Sequence, residues 1–278
     1  HKSNHRSKPR LLIIIKSSEM IRQYLICTLG SFILLSGCKK ASNLTGPADK
    51  SIAYVSFTNV NGNSKTVNVF VDDVLVNTAA AVGANGTATG TYLGVYPGER
   101  FLEVKENADP ATYYHSNNIK VTGGNSYAYF IYDTLKSGRF KGILLTADRN
   151  INPASASAKV RFLNLSPKAP AFDVWFVRRV GAVAKDSSKV FSAVPSLTSV
   201  ASPDATALSA YTNVAANEAA GAACAGSLVT DYIIRIKLAN TNTIVSSTAA
   251  TTVVNGRTYT LFARGIYPAS GLTLFLNN

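Results

Sequence analysis

The sequence predicts an all-β protein that contains two tandem antiparallel β-sandwich domains of Ig-like architecture. Apolar and polar residues alternate with a period of two along many short segments, as in half-buried strands. These segments occur twice along the chain in the same order. Of the 278 residues, 46% are hydrophobic and 15% are charged, which excludes a disordered chain. Because 3 Cys cannot staple a chain of this length, stability must come from packed cores.

The first element is a short apolar segment near the N-terminus. Met20 is the first Met, and Arg22 precedes an apolar run from Tyr24 to Leu35. A basic start followed by about a dozen apolar residues is typical of a secretory signal and is too short for a spanning helix of about 20 residues. We therefore interpret residues 1–19 as upstream sequence translated in error and residues 20–37 as a cleaved signal peptide. The alternatives are a longer leader that includes residues 11–15 and an unprocessed signal anchor.

The apolar run ends in Leu35, Ser36, Gly37 and Cys38, a pattern that resembles the lipobox of bacterial lipoproteins. The resemblance implies that Cys38 is acylated and becomes the mature N-terminus. Stable anchoring takes two or more acyl chains, which this modification supplies. Residues 38–50 are polar and contain Gly-Pro, so we expect a tether. The expected location is the cell outer membrane, with the lipid on Cys38 as the attachment.

The excess of basic over acidic residues does not predict nucleic-acid binding. The formal net charge is +13, but the chain after residue 37 carries 22 − 14 = +8. Its basic residues are scattered, with no run longer than Lys39-Lys40 or Arg178-Arg179, so a stripe that tracks phosphates is missing. Lys39 and Lys40 either contact anionic lipid headgroups or are simply solvated.

The body of the chain contains two copies of one unit. The matching segments are, at an offset of 105, Val55–Asn59 with Val160–Asn164 and Val67–Val71 with Phe172–Phe176, and, at an offset of 132, Leu102–Lys105 with Ile234–Lys237 and Gly124–Tyr127 with Gly256–Tyr259. The difference of 27 predicts about 27 extra residues in the second copy between Val177 and Ile234, with an extended loop at 217–227. We predict domains at 51–150 and 157–278 that fold as separate units.

The second copy opens with VRFLNLSPKAPAFDV, residues 160–174, and later contains YTLFARG, residues 259–265. These segments resemble the domain of unknown function 4397, whose opening is VRFxNxSPxAPxxDV. The first copy keeps Asn59 and Asn68 but has Asn61-Gly62 in place of Ser-Pro, so it resembles the family less closely. The resemblance covers about residues 52–277. It implies a repeated β-sandwich of the kind found in Bacteroidetes-type surface lipoproteins, with no established activity.

The chain offers few groups for catalysis or metal binding. His115 is the only His after residue 37, and we expect it to be an inert residue in an exposed loop. Cys224 is expected to be buried or open to oxidation. Asp72 and Asp73 are adjacent at a strand end and are expected to point to opposite faces, and the glycines at 83, 86, 90 and 94 are expected to form turns. We predict no enzyme activity, no metal and no cofactor.

Trp175 and Asp173 are the candidate ligand-binding residues. Alternation places them on one face of a strand, with Phe172, Val174 and Phe176 on the other. An aromatic plate beside a carboxylate is a common arrangement in sugar sites, whereas the structural alternative is a core Trp covered by the insertion. The expected function is a non-catalytic structural, adhesive or protein-interaction role. The alternative is a glycan-binding accessory lipoprotein of a polysaccharide-uptake system.

Overall fold

The computed structural model describes residues 52–77, 80–84, 87–88, 92–136, 138–152, 154–215, 218–219 and 228–277. Cys38, the lipobox Leu35–Gly37 and Cys224 lie outside these residues, as do Gly86 and Gly90. Within this part of the chain, no helix is long and apolar enough to cross a membrane.

The first copy, here repeat 1, is built from strands β1 to β9. Their bounds are Ala53–Asn59, Val67–Val71, Val74–Leu75, Thr87–Ala88, Leu93–Val95, Gly98–Glu106, Tyr113–Val121, Ser126–Lys136 and Arg139–Thr146. They form two sheets. The inner sheet has the order β4-β1-β8-β9, with β5 also paired to β1, and the outer sheet has the order β3-β2-β6-β7.

The second copy, repeat 2, contains strands β10 to β19 and one short helix, α1. The strand bounds are Ser157–Asn164, Phe172–Val180, Val183–Val194, Thr212–Ala215, Glu218–Ala219, Leu228–Leu238, Ile244–Ser247, Thr251–Val254, Thr258–Arg264 and Gly271–Leu276. The inner sheet has the order β13-β10-β18-β19. In the outer sheet the order is β12-β11-β15-β14, with β16 and β17 also paired to β15.

The all-β class is confirmed, and each repeat is a sandwich of two sheets around its own core. Val55, Phe57 and Val104 belong to the core of repeat 1, and Phe172 and Ile234 to that of repeat 2. In both inner sheets the ladder includes one parallel pair, β1 with β8 and β10 with β18, where the sequence predicted antiparallel sandwiches. The alternation of apolar residues predicts which face is buried but does not fix the direction of the neighbouring strand.

The strand registers reproduce the duplication. The equivalent pairs are Val67 with Glu106 and Phe172 with Leu238, then Tyr54 with Ser126 and Lys159 with Thr258. The first partners differ by 105 and the second by 132, the two offsets that the sequence shows. The insertion of 27 residues therefore lies between the equivalents of β2 and β6.

The structure divides this insertion into two parts. Val95 lies beside Ala53, and Val214 lies beside Ala158, so the offset at β5 and β13 is 119. Fourteen extra residues therefore precede β13 and thirteen follow it. The first part includes the lengthening of the hairpin formed by β11 and β12.

The two repeats belong to one compact unit, which argues against the expectation that they fold independently. Residues 50–278 form a single compact unit. A third core cluster lies where the two inner sheets pack face to face, and it combines Val60, Ala128, Phe130, Tyr132, Ile143 and Leu145 of repeat 1 with Leu163, Leu165, Leu197 and Phe262 of repeat 2. The result is four stacked sheets with three cores.

Three local features differ from or add to the expectations. Asp72 and Asp73 form the turn of the β2–β3 hairpin, with φ of 49° and 65°, instead of ending a strand with opposed side chains. Gly94 lies within β5 and not in a turn. The helix α1, Ala205–Ser209, begins after Asp204, whose carboxylate accepts from the backbone N–H groups of Thr206 and Ala207.

Candidate functional site

Asp173 lies on β11 and is 1% exposed. Oδ1 accepts from the backbone N–H of Ala193 at 2.7 Å, and Oδ2 accepts from the backbone N–H of Asn240 at 3.2 Å and from Lys189 Nζ at 2.9 Å. Burial raises the pKa of this carboxyl, but the hydrogen bonds outweigh burial and lower it. Ala193 and Asn240 both have positive φ. The carboxylate thus holds two strained backbone positions.

Trp175 lies on the outer face of the same strand, and it is half-buried. The Nζ of Lys237 lies 4.4 Å from the ring centroid, and the Nζ of Lys189 lies 5.8 Å from it. Lys189 comes from the lengthened β12, which agrees in part with the structural alternative, a Trp covered by the insertion. Both ammonium groups interact with the ring in the manner of a cation–π pair.

The same pair recurs in repeat 1. Phe70 and Lys105 are the equivalents of Trp175 and Lys237 by the offsets of 105 and 132, and Lys105 Nζ lies 4.5 Å from the Phe70 ring centroid. Lys105 also lies 4.5 Å from the Tyr113 ring and 3.1 Å from Glu103 Oε2. An aromatic ring under a lysine is therefore a duplicated feature of the outer sheets.

This geometry favours a structural role for Trp175 and Asp173. The two residues lie on one face, as alternation predicts. Both carboxylate oxygens of Asp173, however, already accept hydrogen bonds within the fold, and Lys237 lies over the indole ring. A sugar would need the ring face and a free carboxylate oxygen. Stacking at Trp175 would therefore require Lys237 to move aside.

His115 lies on β7 and not in a loop, and it is partly buried. Its Nδ1 donates to the backbone oxygen of Phe140 at 3.2 Å, and its buried Nε2 has no hydrogen-bond partner among the described residues. Tyr129 donates to Asn117 Oδ1 at 3.0 Å beside it. A Cβ at Gly142 would lie 2.6 Å from Nε2, so glycine is required above this polar cluster.

We predict that stability falls as the pH drops through about 6.5, the ordinary pKa of the imidazole. Burial lowers the pKa of His115 in the fold and the charge of Arg139 lowers it further, whereas the hydrogen bond that the imidazole donates to Phe140 O and the nearby Asn117 side chain raise it. A lowered folded pKa means that the stabilisation is present above the unfolded pKa and is lost below it. Denaturant midpoints at pH 7 and 5 measure this. The His115→Gln variant should lose part of the difference, and an unchanged difference would contradict the assignment.

Arg161 marks a polar contact between the repeats that the sequence did not predict. Its side chain is 1% exposed, and Nε donates to Thr260 Oγ1 at 2.9 Å, within repeat 2. Nη1 donates to the backbone oxygen of Thr146, at the end of β9 in repeat 1, at 2.5 Å. The guanidinium carbon lies 5.0 Å from the ring centroid of Tyr211. This buried cation therefore joins the two inner sheets beside their apolar contact.

The described residues contain no group of three or more His, Cys, Asp or Glu side chains that could hold a metal ion. The side chains of Asp173, Arg161 and His115 bond instead to backbone and hydroxyl groups, and Asp173 also pairs with Lys189.

The described residues form two β-sandwiches that share a third core. The buried polar side chains described above bond to the strands and turns of these sandwiches. Residues 53–175 match the profile of the domain of unknown function DUF4397. The match covers repeat 1 and the opening of repeat 2. Repeat 1 is the copy whose sequence resembles the family motif less closely. Residues 53–175 are therefore similar to this domain.

Among curated proteins, no match to the chain is found. Of solved structures, the Bacillus anthracis TIE protein matches 80% of the chain at 12% identity, with a TM-score of 0.19. The matched region is 34% of that protein, so the chain spans about a third of its length.

Proposed function

We propose that the protein is a membrane-anchored lipoprotein of the cell envelope with a non-catalytic structural, adhesive or protein-interaction role. The sequence Leu35-Ser36-Gly37-Cys38 at the end of an apolar run carries this proposal. The thiol of Cys38 is the nucleophile that a lipidating enzyme requires, and the small residues before it suit a peptidase. The outer membrane is the proposed location.

The fold supports the structural part of this proposal. Four sheets share three cores, and the buried groups of Asp173, Arg161 and His115 hold backbone positions. A rigid body of this kind suits a scaffold or an adhesive module that is held at a surface. Its partner is proposed to be an envelope protein, with a glycan as the alternative.

The Cys38→Ala variant tests the anchor. In a bacterium that processes lipoproteins, we expect the variant to lose labelled palmitate and either to leave the membrane fraction or to accumulate as a longer precursor. Cys224→Ala is the matched control, because it removes another thiol of the mature chain. The control should keep the label in full. Equal labelling of the Cys38→Ala variant would overturn the proposed anchor.

A further inference from the structure

Exposed apolar side chains are concentrated at one end of the folded unit. Ten large hydrophobic side chains are exposed in the described part of the chain. Eight of them lie at the end where the chain enters at residue 52, here called the tether end: Tyr54, Val74, Tyr96, Phe101, Ile151, Val180, Val183 and Leu276. Tyr113 and Ile244 lie towards the opposite end.

Backbone and side-chain contacts show that both repeats begin at the tether end. In repeat 1, Gly124 N donates to Ile52 O at 2.9 Å, which places the β7–β8 turn beside the start of β1. Lys159 Nζ lies 2.7 Å from Asp148 Oδ2, so the start of β10 lies beside the end of β9. Because β9 ends beside Tyr127, near the start of β8, the two inner sheets point the same way.

Two hairpins turn at this end. The turn between β2 and β3 lies beside β6, where Asp72 Oδ2 accepts from Arg100 Nη1 at 3.1 Å. The turn between β11 and β12 lies beyond Arg179, which pairs with Asp231 near the start of β15. In repeat 1 the turn begins at residue 72, and in repeat 2 it begins at 181, an offset of 109 instead of 105. The second hairpin therefore extends four residues further, which is about 13 Å of strand.

The tip of this longer hairpin is apolar with basic flanks. Val180 is 43% exposed and Val183 is 58% exposed, on either side of the turn at 181–182. Arg178 and Arg179 precede the turn and Lys185 follows it, each within three residues. Arg178 forms an ion pair with Asp186, which leaves the flanks with a net positive charge. Apolar side chains with basic neighbours are the combination that anionic lipid surfaces attract.

We propose that the tether end rests on the lipid bilayer and that Val180 and Val183 of the β11–β12 hairpin enter its interfacial region. This inference rests on the proposed anchor at Cys38. Only 13 residues, 38–50, separate that anchor from the fold, and they span at most about 45 Å when fully extended. The tether leads to the same end of the fold that carries the exposed apolar side chains. Tyr54 and Tyr96 supply the amphipathic rings that are enriched at membrane interfaces.

Vesicle flotation tests this contact without the acyl chains. The probe is residues 38–278 with Cys38→Ser, which contains the whole compact unit 50–278. We expect it to float with vesicles of phosphatidylethanolamine and phosphatidylglycerol, and to float several-fold less with phosphatidylcholine alone. The double variant Val180→Asp/Val183→Asp should bind about tenfold less. Ile244→Asp is the matched control, since Ile244 is 48% exposed and lies away from the tether end.

The outcomes separate this inference from the proposed function. Binding that is lost in the hairpin variant and kept in the Ile244→Asp control supports the bilayer contact. No flotation of the parent chain, or equal loss in both variants at unchanged melting temperature, overturns it. Because the probe carries no lipid, failure here leaves palmitate labelling at Cys38 unaffected. Absence of the label likewise leaves the flotation result unchanged.

Discussion

Replacing Phe130 in repeat 1 by Ala is expected to lower the stability of repeat 2. Phe130 is 1% exposed, and its ring meets that of Phe262 edge-on with centroids 5.8 Å apart. Loss of a buried Phe costs about 3–5 kcal/mol. Trp175 is the only Trp of the chain and lies in repeat 2, so its fluorescence reports unfolding of that repeat. We expect the denaturant midpoint measured at Trp175 to fall strongly.

Phe57→Ala makes this test sharper. Phe57 lies in the core of repeat 1 and belongs to no cluster that includes repeat 2. If both repeats unfold together, its removal also lowers the midpoint at Trp175. Phe101→Ala is the neutral control, because Phe101 is 43% exposed. A Trp175 transition that stays at the wild-type midpoint in both core variants would contradict the shared core.

Replacing Asp173 by Ala has the second large effect. The change leaves the backbone N–H groups of Ala193 and Asn240 without their carboxylate acceptor and Lys189 without its counter-charge. Hydrogen bonds to charged groups contribute about 1.5–3 kcal/mol each. We expect a loss of about 3–4 kcal/mol in the free energy of unfolding, measured by chemical denaturation.

Asp186→Ala is the matched control for this prediction. Asp186 also forms an ion pair on β12, with Arg178, but its side chain is 59% exposed. We expect no measurable change in stability, because exposed pairs are screened by solvent. Since the folded pKa of Asp173 is lowered, its contribution is present above the unfolded pKa of about 3.9 and is lost at lower pH. Equal effects of the two substitutions would contradict the structural role of Asp173.

The duplication could be predicted from the sequence because a strand repeats its side-chain pattern every two residues. The offsets of 105 and 132 reappear in the ladders of β2 with β6 and β11 with β15. The asparagines that both copies share serve the fold in the same way. Asn164 Nδ2 donates to Pro170 O at 3.1 Å and to Val194 O at 3.2 Å, and Asn59 makes the equivalent bond to Lys65 O at 2.9 Å.

The alternation of apolar and polar residues does not predict how the two repeats pack against each other. Alternation marks one buried face per strand, but β8 is apolar on both faces. In β8, Tyr129 and Ile131 face the core of repeat 1, whereas Phe130 and Tyr132 face repeat 2. A near-continuous apolar run was the available signal, because strands buried on both faces show it. The equivalent of Ser56 is Arg161, and nothing local distinguishes a surface arginine from one buried at this contact.

The sequence predicted on which face of β11 the candidate residues lie, but not which groups they contact. Alternation correctly puts Asp173 and Trp175 on the outer face of β11. It does not show that Asp173 meets the backbone of residues 20 and 67 positions later in the chain. The position of His115 on β7 was missed because its neighbours, two tyrosines and two asparagines, resemble a loop as much as a strand.

Calorimetry of residues 38–278 with Cys38→Ser tests most directly the claim that the two repeats form one cooperative body. We expect a single endotherm whose van't Hoff enthalpy equals its calorimetric enthalpy. At roughly 0.7 kcal/mol per residue, that enthalpy is about 160 kcal/mol for the folded unit. Two resolved endotherms, or a van't Hoff enthalpy near half the calorimetric value, would show that the repeats unfold separately and would contradict the account.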